Sequence, residues 1–413
     1  MRETRQRPGD PVLLAGPTGP NTAVKPLEVE LVTDDAGFAA LEGEWGELYA
    51  AAPAATPFQS WEWLYSWWEL YGRAQDAPHQ LRLVTARDGD GVLIGLLPLM
   101  LARGGRLLFV GTGPAIYNDM LVREGWESPV AAAFAGALRG MGGWSVADLQ
   151  EMRPSAAAWE LVARWRGREV RVYQSYCTLV PTRPWDELLA GLRKKYRSDA
   201  RRALKKAGDE GLWCVHADLD SAEEAAGRLV ALNRDQWRDR WRETGPEHWT
   251  ERFEQHIRRA ARRATASGLG CISEFWKDGR VVLSTFLLFG HEAVGVYMVA
   301  ADKEALRQYS YSSLFVWDML ERAQERQAPN ISFYGGDDAY KLRWNPEVVP
   351  NHRVVLGKGP FPWLPFAGYL VLRQRAVRFA RSEDSPKWAR GLANGYRRLR
   401  YRVARLAGSV RGA

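Results

Sequence analysis

The segment Val294–Trp344 constrains this chain more than any other. It reads GVYMVAAD, KEALRQYSYSS, LFVWDMLERAQERQ and ISFYGGDDAYKLRW: an apolar strand, a hydroxyl-rich loop, an amphipathic helix, a second strand and a Gly-Asp-Asp-Ala-Tyr-Lys exit. A strand that feeds a loop onto a helix N-terminus makes an anion site, because unpaired backbone N–H groups and the helix dipole converge there. The second strand then delivers a phenol and an ammonium, Tyr340 and Lys341, close to that site.

A chain of 413 residues favours two or more domains, each large enough for its own core. With 46% apolar and 26% charged residues it is ordinary globular material. The net charge of +8 is unevenly spread: residues 361–413 hold twelve Lys/Arg against two Asp/Glu, a balance of +10 that leaves −2 for everything before them. The basicity belongs to a tail, and a tail of one sign meets a partner of the other. Cys177, Cys214 and Cys271 are odd in number, widely spaced and without a CxxC pair, which argues against a disulfide framework and for a reducing cytoplasm. The six histidines show no ligand spacing along the chain, so no metal is expected. The Pro/Gly-rich start lacks the apolar core of a signal peptide, and residues 1–26 read as a disordered arm. No run reaches the roughly 18 apolar residues of a membrane span.

The first folded element is a strand at Leu27–Thr33, followed by a helix over 35–51 and a second helix capped by Ser60. Trp61, Leu64, Trp68 and Tyr71 form one stripe of that helix, and core packing explains it better than a substrate cradle. From His79 the hydrophobic period shifts to two, with a hairpin at Asp88-Gly89-Asp90-Gly91 and two further strands. A helix over 128–140, a strand over 144–150, a helix over 154–166 and a strand over 169–180 complete a domain spanning 27–180. Residues 181–358 repeat the order. Helices at 185–207, 221–241 and 246–266 surround a strand at 211–217. Three antiparallel strands follow at 269–276, 281–289 and 293–300, then the helix 312–326 and strands at 330–334 and 352–356. The expected class is α/β (α+β), two structurally related domains, each a mixed, mostly antiparallel sheet flanked by helices. Residues 359–413 interleave aromatic and basic residues as an interfacial helix does, which makes an anionic membrane surface a partner. No nucleic-acid motif accompanies the charge.

Five stretches carry a resemblance. FQSWEWL, GLLPL at 95–99, RKKYRSDARRA at 193–203, YMVAAD at 297–302 and GDDAYKLRW at 336–344 resemble the CelD-like (BioF-type) acyltransferases of the GNAT superfamily, relatives of the Fem-type aminoacyltransferases. The resemblance spans about residues 27–356. It implies two tandem GNAT-like (acyl-CoA N-acyltransferase) domains, and transfer of an acyl group from acyl-CoA, acetyl-CoA included, to envelope or exopolysaccharide precursors. The sequence departs from the family pattern twice. Arg307-Gln308-Tyr309-Ser310-Tyr311-Ser312 places serines where the pyrophosphate loop has glycines, and a side chain there limits close approach. Ser332 stands where an aspartate is common.

Acyl transfer needs an acceptor placed at the thioester carbonyl, stabilisation of the oxyanion and a proton for the thiolate. Backbone groups of the strand around Tyr297 and Val299 are candidates for the donor arm, and Arg307, Ser310 and Ser312 for the pyrophosphate. Tyr340 is the candidate general acid and Lys341 the group that polarises the carbonyl or holds a phosphate. Asp302, Asp337 and Asp338 are candidate bases, with turn formation as the competing role. Between 193 and 206 stand eight basic residues and one acidic, and Arg193, Arg197, Arg201 and Lys205 run four apart, where like charges repel. In the resemblance this face, with Arg197 and Arg201, looks towards a small-molecule or lipid-linked phosphorylated sugar acceptor; a solvated face is the plain alternative. Trp237, Trp241 and Trp249 can line a sugar or pack in a core. Two other functions remain: a transferase using aminoacyl-tRNA, and a non-catalytic module that binds a phosphorylated glycan. The expected location is the cytoplasm, with attachment to the inner membrane surface through the tail.

Overall fold

The computed structural model describes residues 27–75, 78–237, 250–336 and 338–381. Thirteen strands form one sheet. They are β1 (Glu28–Val32), β2 (Gln80–Arg87), β3 (Leu93–Ala102), β4 (Arg106–Phe109), β5 (Leu121–Val122), β6 (Val146–Met152), β7 (Arg168–Pro181), β8 (Trp213–His216), β9 (Gly270–Lys277), β10 (Arg280–Phe289), β11 (Ala293–Ala301), β12 (Asn330–Gly335) and β13 (Glu347–Gly357). The spatial order is β1-β2-β3-β4-β6-β13-β7-β12-β11-β10-β9-β8, with β5 paired to β3.

The two halves therefore share one sheet rather than owning one each. Strand β13, last in the chain, lies between β6 and β7, pairing antiparallel with both. On its other edge, the C-terminal end of β7 pairs antiparallel with β12. Each half hands its last strand to the other. The exchange is held by Asp148 on β6, which is fully buried and takes both Nε and Nη2 of Arg353 on β13 at 2.6 Å. Cores are shared too: Phe58, Trp63 and Leu64 from the first half belong to the same apolar cluster as Phe253, Ile257, Phe286 and Tyr334 from the second. The stripe Trp61, Leu64 and Trp68 is buried in it, as packing required.

Local chemistry explains most element boundaries. Ser60 caps its helix by accepting from Trp63 N at 3.3 Å, and Thr250 does the same for Phe253 N at 3.2 Å. At the 277–280 hairpin Asp278 and Gly279 both take positive φ, 51° and 74°, the backbone a tight right-twisted hairpin needs. Other boundaries differ from the sequence reading. The helix expected over 185–207 is broken into Trp185–Ala190 and Lys194–Asp209, because Arg193 is extended (ψ 142°) and Asn345 Nδ2 holds the Gly191 carbonyl at 2.9 Å. The helix expected from 154 begins at Ala158, where Asp119 accepts from Ala157 N and Ala158 N at 2.7 Å each. The last strand is twice the expected length, because its first half pairs with β7 across the junction. The start of the tail, helix Pro360–Arg381, packs on the sheet: Leu370 is buried beside Val146, Val172 and Val355, and Trp363 Nε1 donates to Val355 O at 3.2 Å. Among the described residues no helix is long and apolar enough to cross a membrane. Residues 1–26, and the tail beyond 381, lie outside the described residues.

The buried Asp148–Arg353 pair predicts an asymmetry between interior and surface charges. Arg353→Ala strips a buried carboxylate of its bidentate partner, leaving only Arg106 at 3.2 Å and Gln150 at 3.0 Å on Oδ2, and should lower the unfolding free energy by about 3 kcal/mol. Arg164→Ala, which removes an exposed i,i+4 pair with Glu160, should change it by less than about 1 kcal/mol. Urea titration of both variants reads the difference.

Candidate active site

Strands β11 and β12 are parallel neighbours over Ala293–Gly295 and Asn330–Ser332 only. Beyond that point β11 stays with β10 and β12 follows β7, so a wedge opens between them. A bulge on each strand causes the parting. Tyr297 has no partner on β10, whose register skips from Met298 to Val296, and Phe333 is likewise skipped by β7 between Ser332 and Tyr334. Tyr334 sits at φ 49°, which turns its ring over Gly295; a Cβ there would lie 2.2 Å from the ring. Ser332 is buried at the bulge, donating to Thr178 O at 3.2 Å and accepting from Tyr334 N at 3.1 Å. The serine that departs from the family pattern thus shapes the backbone.

The ladder bond from Asp302 N to Val282 O sets the alternation on β11, so Val299 and Ala301 turn their N–H and C=O groups away from β10, into the wedge. The helix Ala222–Gln236 reaches them: Asn233 Nδ2 donates to Val299 O at 3.3 Å, and Gln236 Oε1 accepts from Ala301 N at 3.0 Å. Tyr297 points into the first half instead, its hydroxyl on Pro114 O at 3.2 Å and its ring edge-on to Trp63 at 4.8 Å. Its side chain is a packing element. Burial raises its phenol far above the usual range.

At the mouth of the wedge the helix Tyr311–Glu325 begins. Ser310 makes no side-chain cap; its Oγ lies 2.9 Å from Ser313 Oγ. Ser312 is buried and shares a small recess with Tyr196, Asp199, Arg343 and Trp344. The loop before it is fixed at both ends. Tyr309 is buried, with its hydroxyl on Glu210 and 3.1 Å from Lys277 Nζ, and Lys277 with Tyr309 holds the Glu210 carboxyl down to about 2. Asp302 accepts from Glu304 N and Ala305 N at 3.0 Å each and pairs with Arg280 at 3.2 Å. It is therefore a turn-former, and the base role expected for it has no geometric support. Arg307 stands in solvent, 3.8 Å from an equally exposed Glu304.

Tyr340 is the second residue of the short helix Ala339–Leu342, edge-on to Phe315 at 5.7 Å and near Tyr311 at 6.4 Å, which brings it to the mouth. Burial, then the Asp338 and Tyr311 side chains, push its phenol well above the usual range, so it stays protonated at neutral pH. Lys341 is buried, donating to Gly335 O and lying 3.4 Å from Asp338 Oδ2. Its ammonium ties the exit of β12 to its own helix rather than standing free to polarise a carbonyl. Arg197 is half-buried and makes no ion pair among the described residues, whereas Arg201 pairs with Asp186 at 3.0 Å in solvent. Trp237 ends its helix under Lys303 Nζ, 4.6 Å from the ring centre. Asp337, Trp241 and Trp249 lie outside the described residues.

The structure adds residues that no motif marked. Tyr117, Arg153 and Tyr334 line a cleft between the halves; Arg153 pairs with Glu292, donates to Ala54 O at 2.7 Å and stacks over Tyr117 at 5.7 Å. Asn233 and Gln236 sit in a helix that reads as amphipathic, with nothing local to show that they reach a strand.

A wedge beside a helix N-terminus, in a mixed sheet made of two repeats, defines a tandem GNAT-type acyltransferase fold. Residues 194–342 match the acetyltransferase (GNAT) domain family. FemX is similar in structure at a TM-score of 0.57 and 12% identity, with 82% of this chain and 99% of that one covered. A conserved protein of unknown function from Bacteroides thetaiotaomicron gives 0.51 and 14%, covering 79% and 100%. No curated protein matches the chain. At such identities the likeness is one of fold.

Gly295→Ala tests the contact that shapes the wedge. The new methyl must displace a tyrosine ring packed by Phe58 and Tyr117, at a cost of about 1–3 kcal/mol. Thermal unfolding reads the loss, with Gly46→Ala, where a Cβ meets nothing within 4 Å, as the comparison.

Proposed function

We propose that the protein transfers an acyl group from acyl-CoA, acetyl-CoA in the simplest case, to an amine or hydroxyl of a phosphorylated or lipid-linked envelope or exopolysaccharide precursor. The observation that carries this reading is the wedge: a strand with backbone groups turned outward, opening onto a helix N-terminus with a protonated phenol beside it. The pantetheine arm would lie along Val299, taking over the strand groups that Asn233 and Gln236 hold, and the pyrophosphate at Ser310–Ser313, where helix dipole and hydroxyls favour anions. The acceptor attacks the thioester carbonyl, the C–S bond breaks, and Tyr340 Oη gives its proton to the departing thiolate while the proton lost by the acceptor returns through water to the phenolate. Lys341 acts by positioning Tyr340. The half-buried Arg197, together with Arg193, Lys194 and Lys195 at the start of their helix, supplies positive charge for a phosphorylated acceptor.

Those same cations, unpaired among the described residues, favour one second reading, an aminoacyl-tRNA donor. Tyr340→Phe is expected to lower kcat by about 10²-fold or more, with calorimetric binding of acyl-CoA unchanged. Absence of acyl-CoA binding at millimolar concentration sinks the first reading, and activity that ribonuclease abolishes selects the second.

The tail helix supports peripheral attachment to an anionic membrane. Leu364, Tyr369 and Leu372 are 52%, 51% and 67% exposed on its outer side. Replacing Leu364 and Leu372 by serine leaves Leu370 and Trp363 packed and should reduce sedimentation with phosphatidylglycerol vesicles several-fold. Unchanged sedimentation removes the membrane from the reading.

A further inference from the structure

We propose that Cys214, His216 and Asp318 form a site for a divalent transition-metal ion of the zinc class, which fastens the edge strand of the sheet to the helix at the mouth of the wedge. Strand β8 is the last in the sheet and has β9 on one side only. Cys214 and His216, two apart, share one of its faces. Asp318 comes from the helix Tyr311–Glu325, about a hundred residues on. One ligand atom from each lies within 4.8 Å of the others.

The geometry favours an ion over a catalytic relay. His216 Nε2 is 2.7 Å from Asp318 Oδ1 and 3.9 Å from Cys214 Sγ, so the same ring nitrogen faces both partners. A nucleophile–base–acid relay needs them on opposite nitrogens. One sulfur, one imidazole nitrogen and one carboxylate oxygen converging on a point are the donor set that zinc takes, with bonds of about 2.0–2.3 Å. Tetrahedral bonds of that length place donors about 3.3–3.8 Å apart, so the sulfur–nitrogen pair must close slightly and the nitrogen–oxygen pair must open by about half an ångström.

A second observation points to a ligand. Asp318 is 2% exposed, and its Oδ2 is buried without a hydrogen-bond partner. A buried carboxylate oxygen left so is destabilising, and a bound cation satisfies it. Charge also balances: thiolate and carboxylate offset the ion, while Arg322, one turn further along the helix, is paired with Glu325 at 2.6 Å. His216 is one-third exposed, which leaves a path from solvent and room for water as fourth ligand. Cysteine ligates as the thiolate, so binding displaces a proton and tightens as pH rises. Cys271 lies on the same face of β9 but outside the ligand set. Because Asp318 stands on the helix that begins at Ser310, the ion would hold that N-terminus in place whatever donor it binds.

The test is titration of the full chain with cobalt(II). Thiolate-to-cobalt absorption saturating at one equivalent is expected, lost in Cys214→Ser, weakened at least tenfold in Asp318→Asn, and kept in Cys271→Ser. Zinc should raise the melting temperature of the native chain and not that of Cys214→Ser. Should that variant fail to fold by circular dichroism, His216→Asn, on an exposed edge, takes its place. A chain with no saturable absorption, or one whose absorption survives loss of Cys214 or His216, overturns the proposal.

Discussion

The exchange of β7 and β13 is the constraint on which the rest depends. A strand inserted between β6 and β7 makes the sheet of one half incomplete without the other, so neither half has a closed core. Asp148 and Arg353 fix that insertion: a fully buried carboxylate needs its oxygens bonded, and Arg353 meets both from one strand away. Bidentate pairing adds register as well as energy. With β13 in register on one edge of β7, β12 pairs along the other edge of its C-terminal end.

That pairing creates the candidate site. Because β12 follows β7, it cannot follow β11, and the two part after Gly295 and Ser332. The bulges at Tyr297 and Phe333 and the left-handed Tyr334 accommodate the change of partner. Strain of this kind persists only where surrounding packing over-determines it, and Phe58 and Tyr117 supply that packing from the other half. The N-terminal half thus contributes the aromatic wall that holds the C-terminal wedge open, and Arg153 with Glu292 bolts the two together.

Residues whose role depends on local geometry were legible early. The Ser60 cap, the two tight hairpins, the strand–loop–helix at Val294–Trp344 and the place of Tyr340 after it all follow from spacing and turn chemistry. Those whose role depends on distant partners were not. Asp302 sits in a stretch that looks catalytic, yet its carboxylate is used by the two N–H groups just after it. Lys341 looks free in sequence and is bound to Gly335. Cys214 and His216 show no ligand spacing until a helix carrying Asp318 is laid over the edge strand.

Alone, the sequence determined which segments are strands and helices, that their order repeats, and that a hydroxyl-rich loop meets a helix N-terminus, because period, caps and turns are read within a few residues. Only the tertiary structure decided that the repeats share one sheet, where the wedge opens, and which polar side chains are already engaged. Strand order and burial are set by contacts between residues far apart in the chain, and pairing energies of that kind leave no mark on local periodicity.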